Sequence, residues 1–181
     1  MSNFYDFKIE NIKNLSLEEK NSRKKNLDLF FQNGFPNKRS EDWKFTDLNT
    51  ILEKNFNNIV NKDFISEDKK IKTIEEFEHN FIFLVDGKLI SNSFDHEDKN
   101  NLTIKKYNYK NEVKLDKQNS LTLLNNALAT GGFTLEVSKN YKFIKPLVIY
   151  NYFSKNLKES IINNKNSIIL NDESELTLIN Y

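Results

Sequence analysis

Few side chains in this sequence could perform chemistry. Cysteine is absent, which excludes disulfides, thiolate metal sites and cysteine nucleophiles formed within the chain. The two histidines, His79 and His96, have no second histidine at a metal-ligand spacing. The acidic segment Asp95–Asp98 could hold a divalent ion weakly, but ion sites need convergent rather than consecutive ligands. We therefore interpret Asp95–Asp98 as a solvated acidic turn and His79 as a surface residue.

Motifs for nucleophilic catalysis and phosphate binding are also missing. The serines lack a Gly-x-Ser-x-Gly elbow, and Gly131-Gly132 lacks the lysine and hydroxyl residue that complete a phosphate loop. The carboxylate pairs Glu18-Glu19, Glu41-Asp42 and Glu75-Glu76 are adjacent in sequence, so on a helix they would point to different faces. We expect no catalytic residue, no metal ligand and no cofactor-binding residue, and we predict that the chain is not an enzyme.

The composition predicts a folded protein without a strong charge. The 181 residues include 27 Lys and Arg against 26 Asp and Glu, which removes the basic footprint of a nucleic-acid binder. Aromatic residues make up 13%, far too many for a disordered chain. No stretch approaches the roughly 20 apolar residues that cross a bilayer, and the N-terminus lacks a signal-peptide pattern. A cytoplasmic location without nucleic-acid or membrane partners is the expectation.

Two helices are predicted in the first third of the chain. Ser16 with Glu19 forms a capping box, and Gly34 followed by Pro36 supplies a stop, which predicts a helix from Ser16 to about Asn33. A second helix fits Asp47–Val60, because apolar residues recur there at spacings of three and four.

The pattern then changes to short strands. Asp86-Gly87 is a preferred two-residue hairpin turn between apolar runs. A compact helix should begin at Ser120 and end at Gly131-Gly132. The remaining predicted strands are Leu102–Ile104, Phe133–Val137, Pro146–Tyr150, Ser167–Leu170 and Glu175–Ile179. Strands of this length suit a sandwich, a jelly roll or a stacked β-helix, and periodicity alone does not choose among them.

The segment Gly34–Leu48, called the corner below, joins the first two helices. It holds the only tryptophan, Trp43, together with one of the two arginines and one of the two prolines. Trp43 and Phe45 offer large apolar surfaces, and Arg39 can reach neighbouring carboxylates. The favoured physical interpretation is structural: Trp43 anchors helix against helix, and the charges form a solvated rim.

The corner resembles the N-terminal signature of the SufD family of iron–sulfur cluster assembly proteins. That signature is approximately Gly-x-Pro-x-x-Arg-x-Glu-x-Trp-Lys-Tyr-Thr-x-Leu, and Phe45 stands where the family commonly has tyrosine. So many agreements within one short segment make a specific match. The residues in register are Gly34, Pro36, Arg39, Glu41, Trp43, Lys44, Thr46 and Leu48.

Weaker likenesses extend over essentially the whole chain. They include the Asp86-Gly87 hairpin, Leu124–Leu128 and Gly132–Val137. The sister protein SufB shares the family's β-helix but is not associated with this corner, so SufD is the better match.

The resemblance implies an α+β fold, in which a helical N-terminal region is followed by the start of a right-handed parallel β-helix. Residues 1–62 would form the helical region, 63–118 a connecting region with a β-hairpin, and 119–181 the first coils of the β-helix core. Because the last strand reaches Tyr181 without a closing segment, we expect the sequence to be an N-terminal piece of a longer protein.

The resemblance also implies a function. SufD-like proteins are non-catalytic subunits of a cytoplasmic scaffold on which iron and persulfide sulfur become a cluster. The expected partners are SufB-like and SufC-like (ATPase) subunits, bound mostly through regions beyond residue 181. No cofactor is expected in this segment. An iron–sulfur cluster is expected only on the assembled complex.

Two other functional classes stay open. A β-helix or jelly-roll protein that acts on or binds carbohydrate would explain aromatic, Asn-rich strands, but such a site needs convergent carboxylates, and the strands carry mainly Glu136 and Glu175. A nucleic-acid module would explain the interleaved basic and aromatic residues Lys38-Arg39 and Trp43–Phe45, although the balanced charge argues against it.

Overall fold

The computed structural model describes residues 5–39, 41–61, 72–109, 119–155, 157 and 159–181. Its helices are α1 (Leu17–Asn33), α2 (Leu48–Asn55) and α3 (Ser120–Leu128). Its strands are β1 (Tyr5–Asp6), β2 (Ile59–Asn61), β3 (Asn80–Val85), β4 (Lys88–Ser93), β5 (Leu102–Lys106), β6 (Gly131–Val137), β7 (Leu147–Tyr152), β8 (Ser160–Ile161), β9 (Asn164–Leu170) and β10 (Leu178–Asn180). The fold is mixed α+β, as predicted. Within these ranges no helix has the length and apolar character needed to cross a membrane.

The chain forms two compact units that each draw on separate stretches of sequence. Unit 1 comprises Met1–Asp63, Tyr109–Ala129 and Leu157–Asn163. Unit 2 comprises Phe64–Asn108, Thr130–Asn156 and Asn164–Tyr181. The three-part division at residues 62 and 118 stays a prediction.

Helix α1 begins and ends where the sequence predicts. The Ser16 hydroxyl accepts a hydrogen bond from the Glu19 amide at 3.1 Å, as an N-cap does. At the other end Gly34 adopts a φ of 68°, and its amide donates to the Phe30 carbonyl at 2.7 Å. Helices α1 and α3 pack together in the core of unit 1, whose buried residues are Phe7, Ile9, Leu27, Phe30, Phe35, Ile59, Leu123, Leu124, Ala127 and Leu128.

Helix α2 is shorter than predicted. Asp47 caps it, but the helix ends at Asn55, and Phe56 already has an extended backbone. The predicted helical end, Ile59 and Val60, lies instead in β2, which pairs in parallel with β1 on one side and β8 on the other. The β-branched side chains favour the strand, and pairing with distant segments overrides the local helical spacing.

Helix α3 begins as predicted but does not end at the predicted glycines. Its C-cap, Ala129, has an extended backbone. The buried guanidinium of Arg23 donates to the carbonyls of Ala127 at 2.9 Å and Ala129 at 2.8 Å. A cation at this position also complements the helix dipole. An arginine from α1 therefore closes α3.

The glycine pair has a different role, at the start of β6. A Cβ atom on Gly131 would overlap the carbonyl of Gly87, and one on Gly132 would overlap the backbone of Lys165. Gly132 also has a φ of 117°. The prediction that Gly131-Gly132 closes the helix is wrong, because both residues are needed where neighbouring backbones approach β6 closely.

Unit 2 contains two sheets. One has the strand order β10-β7-β3-β4, and the other has the order β5-β6-β9. The predicted hairpin is confirmed: β3 and β4 are antiparallel, and Asp86 and Gly87 have φ values of 49° and 78°, as a type I′ turn requires. The predicted last strand is reduced to β10, with an isolated parallel bridge between Lys142 and Glu175.

Two parallel strand pairs of unit 2 have nearly the same sequence offset. Along β6 and β9, Gly131 lies opposite Asn164 and Val137 opposite Leu170, an offset of 33 residues. The Lys142–Glu175 bridge has the same offset of 33. Between β7 and β10 the offset is 31, with Leu147 opposite Leu178. The segment β9–β10 therefore repeats the path of β6–β7 one layer further on.

Both faces of β3 and β7 are covered. Successive side chains on a strand alternate between faces. On one face, residues from both sheets form the larger core, which consists of Ile82, Leu84, Leu89, Phe94, Phe133, Leu135, Val137, Leu147 and Ile149. On the opposite face, Phe83, Val148 and Tyr150 form a smaller buried cluster. This double burial explains why β3 and β7 have continuous apolar runs rather than alternating sequences.

Candidate functional site

The corner follows directly from the end of α1. After Gly34 turns the chain, the buried Phe35 ring packs edge-on against Phe30, with centroids 5.0 Å apart. A short 3-10 turn then spans Glu41–Trp43. Asp47 ends the corner by accepting a hydrogen bond from the Thr50 amide at 3.1 Å. That amide, together with Lys38, holds the pKa of the Asp47 carboxyl below its usual range.

The buried aromatic side chain of the corner is Phe35. Phe35 belongs to the buried core of unit 1, whereas Trp43 is half-buried and Phe45 is 93% exposed. Phe45 also has the Lys44 ammonium 5.6 Å from its ring centre.

The residues of the family signature separate into two groups. Leu48 packs against the core of unit 1, and Gly34 and Pro36 are partly covered. Arg39, Glu41, Lys44 and Thr46 are exposed. The corner thus has a small apolar part that contacts the core of unit 1 and a polar and aromatic part that is exposed. The structural role predicted for the signature stays a prediction.

An apolar groove lies beside the corner in unit 1, with a volume of about 360 Å³. Phe35 and Leu48 line it from the corner, and Leu52, one turn further along α2, continues the same face. The other lining residues are Phe56, Ile59, Leu121, Leu124, Asn125, Ser160, Ile161 and Asn163. A concave site of this size and mainly apolar lining suits apolar groups, with Asn125, Ser160 and Asn163 as its polar lining residues.

Sequence reasoning missed the role of Glu97 in unit 2. The residue is 8% exposed rather than solvated, which corrects the interpretation of Asp95–Asp98 as a solvated turn at this position. Its carboxylate accepts hydrogen bonds from the amides of Ile144 and Lys145, each at 3.1 Å. Asn80 Nδ2 donates to it at 2.7 Å and the Tyr141 hydroxyl at 2.8 Å. Glu97 therefore fixes the turn between β6 and β7.

The environment of Glu97 keeps it ionised. Burial alone would raise the pKa of its carboxyl, but the amides of Lys145 and Ile144 and the donors on Tyr141 and Asn80 outweigh that effect and lower the pKa. Burial and the bond to Glu97 raise the pKa of the Tyr141 hydroxyl. Charge-assisted hydrogen bonds of this kind are about twice as strong as neutral ones.

The two histidines lie in separate environments and do not share a binding site. His79 is half-buried and hydrogen-bonded to the Tyr150 hydroxyl at 2.8 Å, so its interpretation as a plain surface residue is wrong. His96 is half-buried beside Glu97. Across the part of the chain that the structure describes, no group of three histidine, aspartate or glutamate residues could hold a metal ion.

Comparison with known families defines the class of protein. The family model described as the SufBD protein N-terminal region matches residues 1–98, which include the corner and the first hairpin. The chain therefore belongs to the SufB/SufD family, and this membership links it to iron–sulfur cluster assembly. No curated protein shows a significant match to the chain.

Proposed function

We propose that this chain is the N-terminal part of a SufD-like, non-catalytic scaffold subunit of the SUF iron–sulfur cluster assembly complex. The match to the SufBD N-terminal region carries the proposal. The signature residues from Gly34 to Leu48 favour SufD over SufB within that family.

The strand pairing supports the proposed architecture. Parallel layers offset by 33 and 31 residues are what a β-helix requires, since each coil lies on the preceding one at the same position. We infer that β6–β7 and β9–β10 are two opening coils of the family's right-handed parallel β-helix.

The ligand chemistry of the sequence supports a scaffold role in which partners take part. Iron–sulfur clusters are held mainly by cysteine thiolates, and the chain has none. A cluster on the assembled complex would draw its thiolates from outside these 181 residues. SufB-like and SufC-like subunits are the proposed partners, and the cytoplasm is the proposed location.

The test is co-expression of the native full-length gene product with the SufB-type and SufC-type proteins of the same genome. We expect one complex in size-exclusion chromatography that contains all three subunits. We also expect the gene to restore growth to a strain lacking its SufD-type gene and not to one lacking its SufB-type gene. Rescue of the SufB-deficient strain instead would overturn the assignment to SufD, and a product that stays apart from both partners would overturn the scaffold proposal.

A variant pair tests the role of the corner. Trp43→Ala removes a half-buried ring, while Phe45→Ala removes a ring that is 93% exposed. A structural corner predicts that Trp43→Ala lowers the melting temperature and leaves partner binding intact in the folded protein, with Phe45→Ala affecting neither. Loss of partner binding in Phe45→Ala at an unchanged melting temperature would show that the corner is a contact surface.

A further inference from the structure

An extended segment covers the smaller cluster of unit 2. Residues 72–79, called the strap below, contain neither helix nor strand. Ile74 of the strap packs against the cluster of Phe83, Val148 and Tyr150. The rings of Phe77 and His79 have centroids 5.2 Å apart, and those of His79 and Tyr150 lie 5.8 Å apart. The strap thus meets the sheet through one aliphatic side chain and one imidazole.

Three hydrogen bonds form a series, of which two join the strap to Tyr150 in β7. His79 Nδ1 lies 2.9 Å from the Phe77 carbonyl oxygen, and His79 Nε2 lies 2.8 Å from the Tyr150 hydroxyl. The Ile74 amide donates to the same hydroxyl at 2.9 Å. The Tyr150 oxygen therefore links the two ends of the strap.

The ends of this series fix the direction of every bond in it. A carbonyl oxygen only accepts, so His79 Nδ1 must carry a proton to bond Phe77. In a neutral imidazole Nε2 is then an acceptor, and the Tyr150 hydroxyl donates to it. The hydroxyl oxygen remains free to accept from the Ile74 amide. Neutral His79 with the proton on Nδ1 satisfies all the bonds at once.

A second proton on His79 breaks this arrangement. Nε2 would become a donor to the hydroxyl oxygen, which already accepts from the Ile74 amide, and the hydroxyl proton of Tyr150 would lose Nε2 as its acceptor. The hydroxyl proton of Tyr150 would have to turn away, and Tyr150 is only 2% exposed. A buried donor without an acceptor is unfavourable, so the protonated ring favours separation of the strap from β7.

Charged and titratable groups lie on the strap and on the segments packed against it. The strap carries Glu75, Glu76 and Glu78 next to it in sequence, and Glu78 pairs with the Lys145 ammonium at 2.8 Å. The other titratable or charged groups of the strap and of the segments packed against it are Lys72, Tyr150 and Tyr181. His96 belongs to the same set because its charge acts on Glu78.

We propose that His79 is a proton-operated latch: neutral His79 holds the strap closed over the aromatic cluster through Tyr150, and protonation releases it. Imidazole side chains in general change charge between about pH 5 and 8, so the latch is tested over that range. The latch is a property of unit 2 and does not depend on the proposed scaffold function.

Amide hydrogen exchange of the strap measures the latch directly. Exchange of the peptide 72–79 is followed at several values between about pH 7.5 and 5.5 and corrected for the intrinsic pH dependence of exchange. We expect protection of the strap to fall by about fivefold or more, the net contribution of one hydrogen bond. Protection in β6 should not change. Constant protection of the strap over this range would overturn the proposal.

The two histidines supply a matched set of variants. His79→Gln places an amide oxygen that accepts from Tyr150 and does not titrate, so the strap should stay protected at every pH. Tyr150→Phe removes the shared hydroxyl and should leave the strap open at every pH. His96→Gln, the control, should preserve the wild-type transition. A transition that disappears in His96→Gln and persists in His79→Gln would show that the proton binds to His96, and the latch proposal would be overturned.

A measurement on the wild-type protein avoids any dependence on variant folding. Nitrogen chemical shifts of the imidazole distinguish its two neutral tautomers. We expect His79 to carry its proton on Nδ1 at about pH 7.5, against the more common Nε2 form. Observation of the Nε2–H tautomer for His79 would refute the latch, because that form cannot donate to Phe77 or accept from Tyr150.

Discussion

Units 1 and 2 each bury a charged side chain and stabilise it in opposite ways. In unit 1, Arg23 is 2% exposed and donates to two carbonyls at the end of α3, while its Nε bonds the Glu19 carboxylate at 2.9 Å. In unit 2, Glu97 is 8% exposed and accepts from two amides of the β6–β7 turn. A helix end presents carbonyls, and this turn presents amides, so each element takes the charge that its backbone requires.

The difference between the two charges is their response to acid. An arginine guanidinium stays protonated throughout the accessible pH range. Glu97 loses its charge when it binds a proton, and its lowered pKa shows that the folded state favours the ionised form. Arg23 should therefore stabilise unit 1 at every pH, whereas Glu97 should stabilise unit 2 only when it is ionised.

Arg23→Ala gives the largest expected effect. The substitution leaves the carbonyls of Ala127 and Ala129 without their donor, and it leaves Glu19 without its partner. We expect the free energy of unfolding to fall by about 3–6 kcal/mol, because two buried carbonyls lose a charged donor and each such hydrogen bond contributes about 1.5–3 kcal/mol. Urea unfolding followed by far-UV circular dichroism measures it. Lys24→Ala is the control, since Lys24 is exposed and should cost less than about 0.5 kcal/mol. Equal losses in both variants would contradict the role of Arg23.

Glu97→Gln gives the next largest effect at neutral pH. The amide keeps the shape of the side chain but replaces a charged acceptor of several bonds by a neutral group with its own donors. We expect a loss of about 1.5–3 kcal/mol, the contribution of a hydrogen bond to a charged group. Thermal or urea unfolding measures it. Glu173→Gln removes an exposed carboxylate from the same unit and should have little effect. A loss in Glu97→Gln no larger than in this control would refute the stabilising role of the Glu97 carboxylate.

The pH dependence of stability distinguishes Glu97 from Arg23. A carboxyl whose pKa is lowered by folding contributes stability that is fully present above its unfolded pKa, about 4.3, and is lost as pH falls through the folded pKa. The gap in unfolding free energy between wild type and Glu97→Gln should therefore shrink as pH falls from about 6 to 3. Urea titrations at fixed pH values test this. A gap that grows in acid would mean that folding raises the pKa of Glu97.

Local sequence signals predicted the elements whose partners lie nearby. Ser16 and Glu19 are three residues apart, and Asp86 and Gly87 are adjacent, so helix α1 and the β3–β4 hairpin could be predicted. The strand β2 could not, because β-branched residues at helical spacing become a strand only through pairing with β1, more than fifty residues away.

The buried charges were hidden from the sequence for the same reason. Glu97 receives its donors from Asn80, 17 residues earlier, and from Lys145, 48 residues later. Within an acidic run, nothing local distinguishes Glu97 from Asp95 or Asp98. In the corner, a local signature did indicate the family. The signature did not indicate which side chain is buried, because Phe35, which is not a signature residue, lies in the core and Trp43 does not.

Exposed ion pairs between the two parallel layers of unit 2 give the smallest expected effect. Lys139 pairs with Asp172 at 3.3 Å and Lys142 with Glu175, each pair joining residues 33 apart in sequence. The four side chains are all at least 62% exposed, so water and salt screen them.

A double-mutant cycle of Lys142→Ala and Glu175→Ala isolates the Lys142–Glu175 pair. We expect a coupling of about 0–1 kcal/mol at low salt, falling towards zero in high salt. Backbone bonds such as that from the Phe143 amide to the Glu175 carbonyl, 3.0 Å long, remain in every variant and should hold the layers together. A coupling that approached the loss in Glu97→Gln would mean that exposed charges, as well as the buried carboxylate, determine the stability of unit 2.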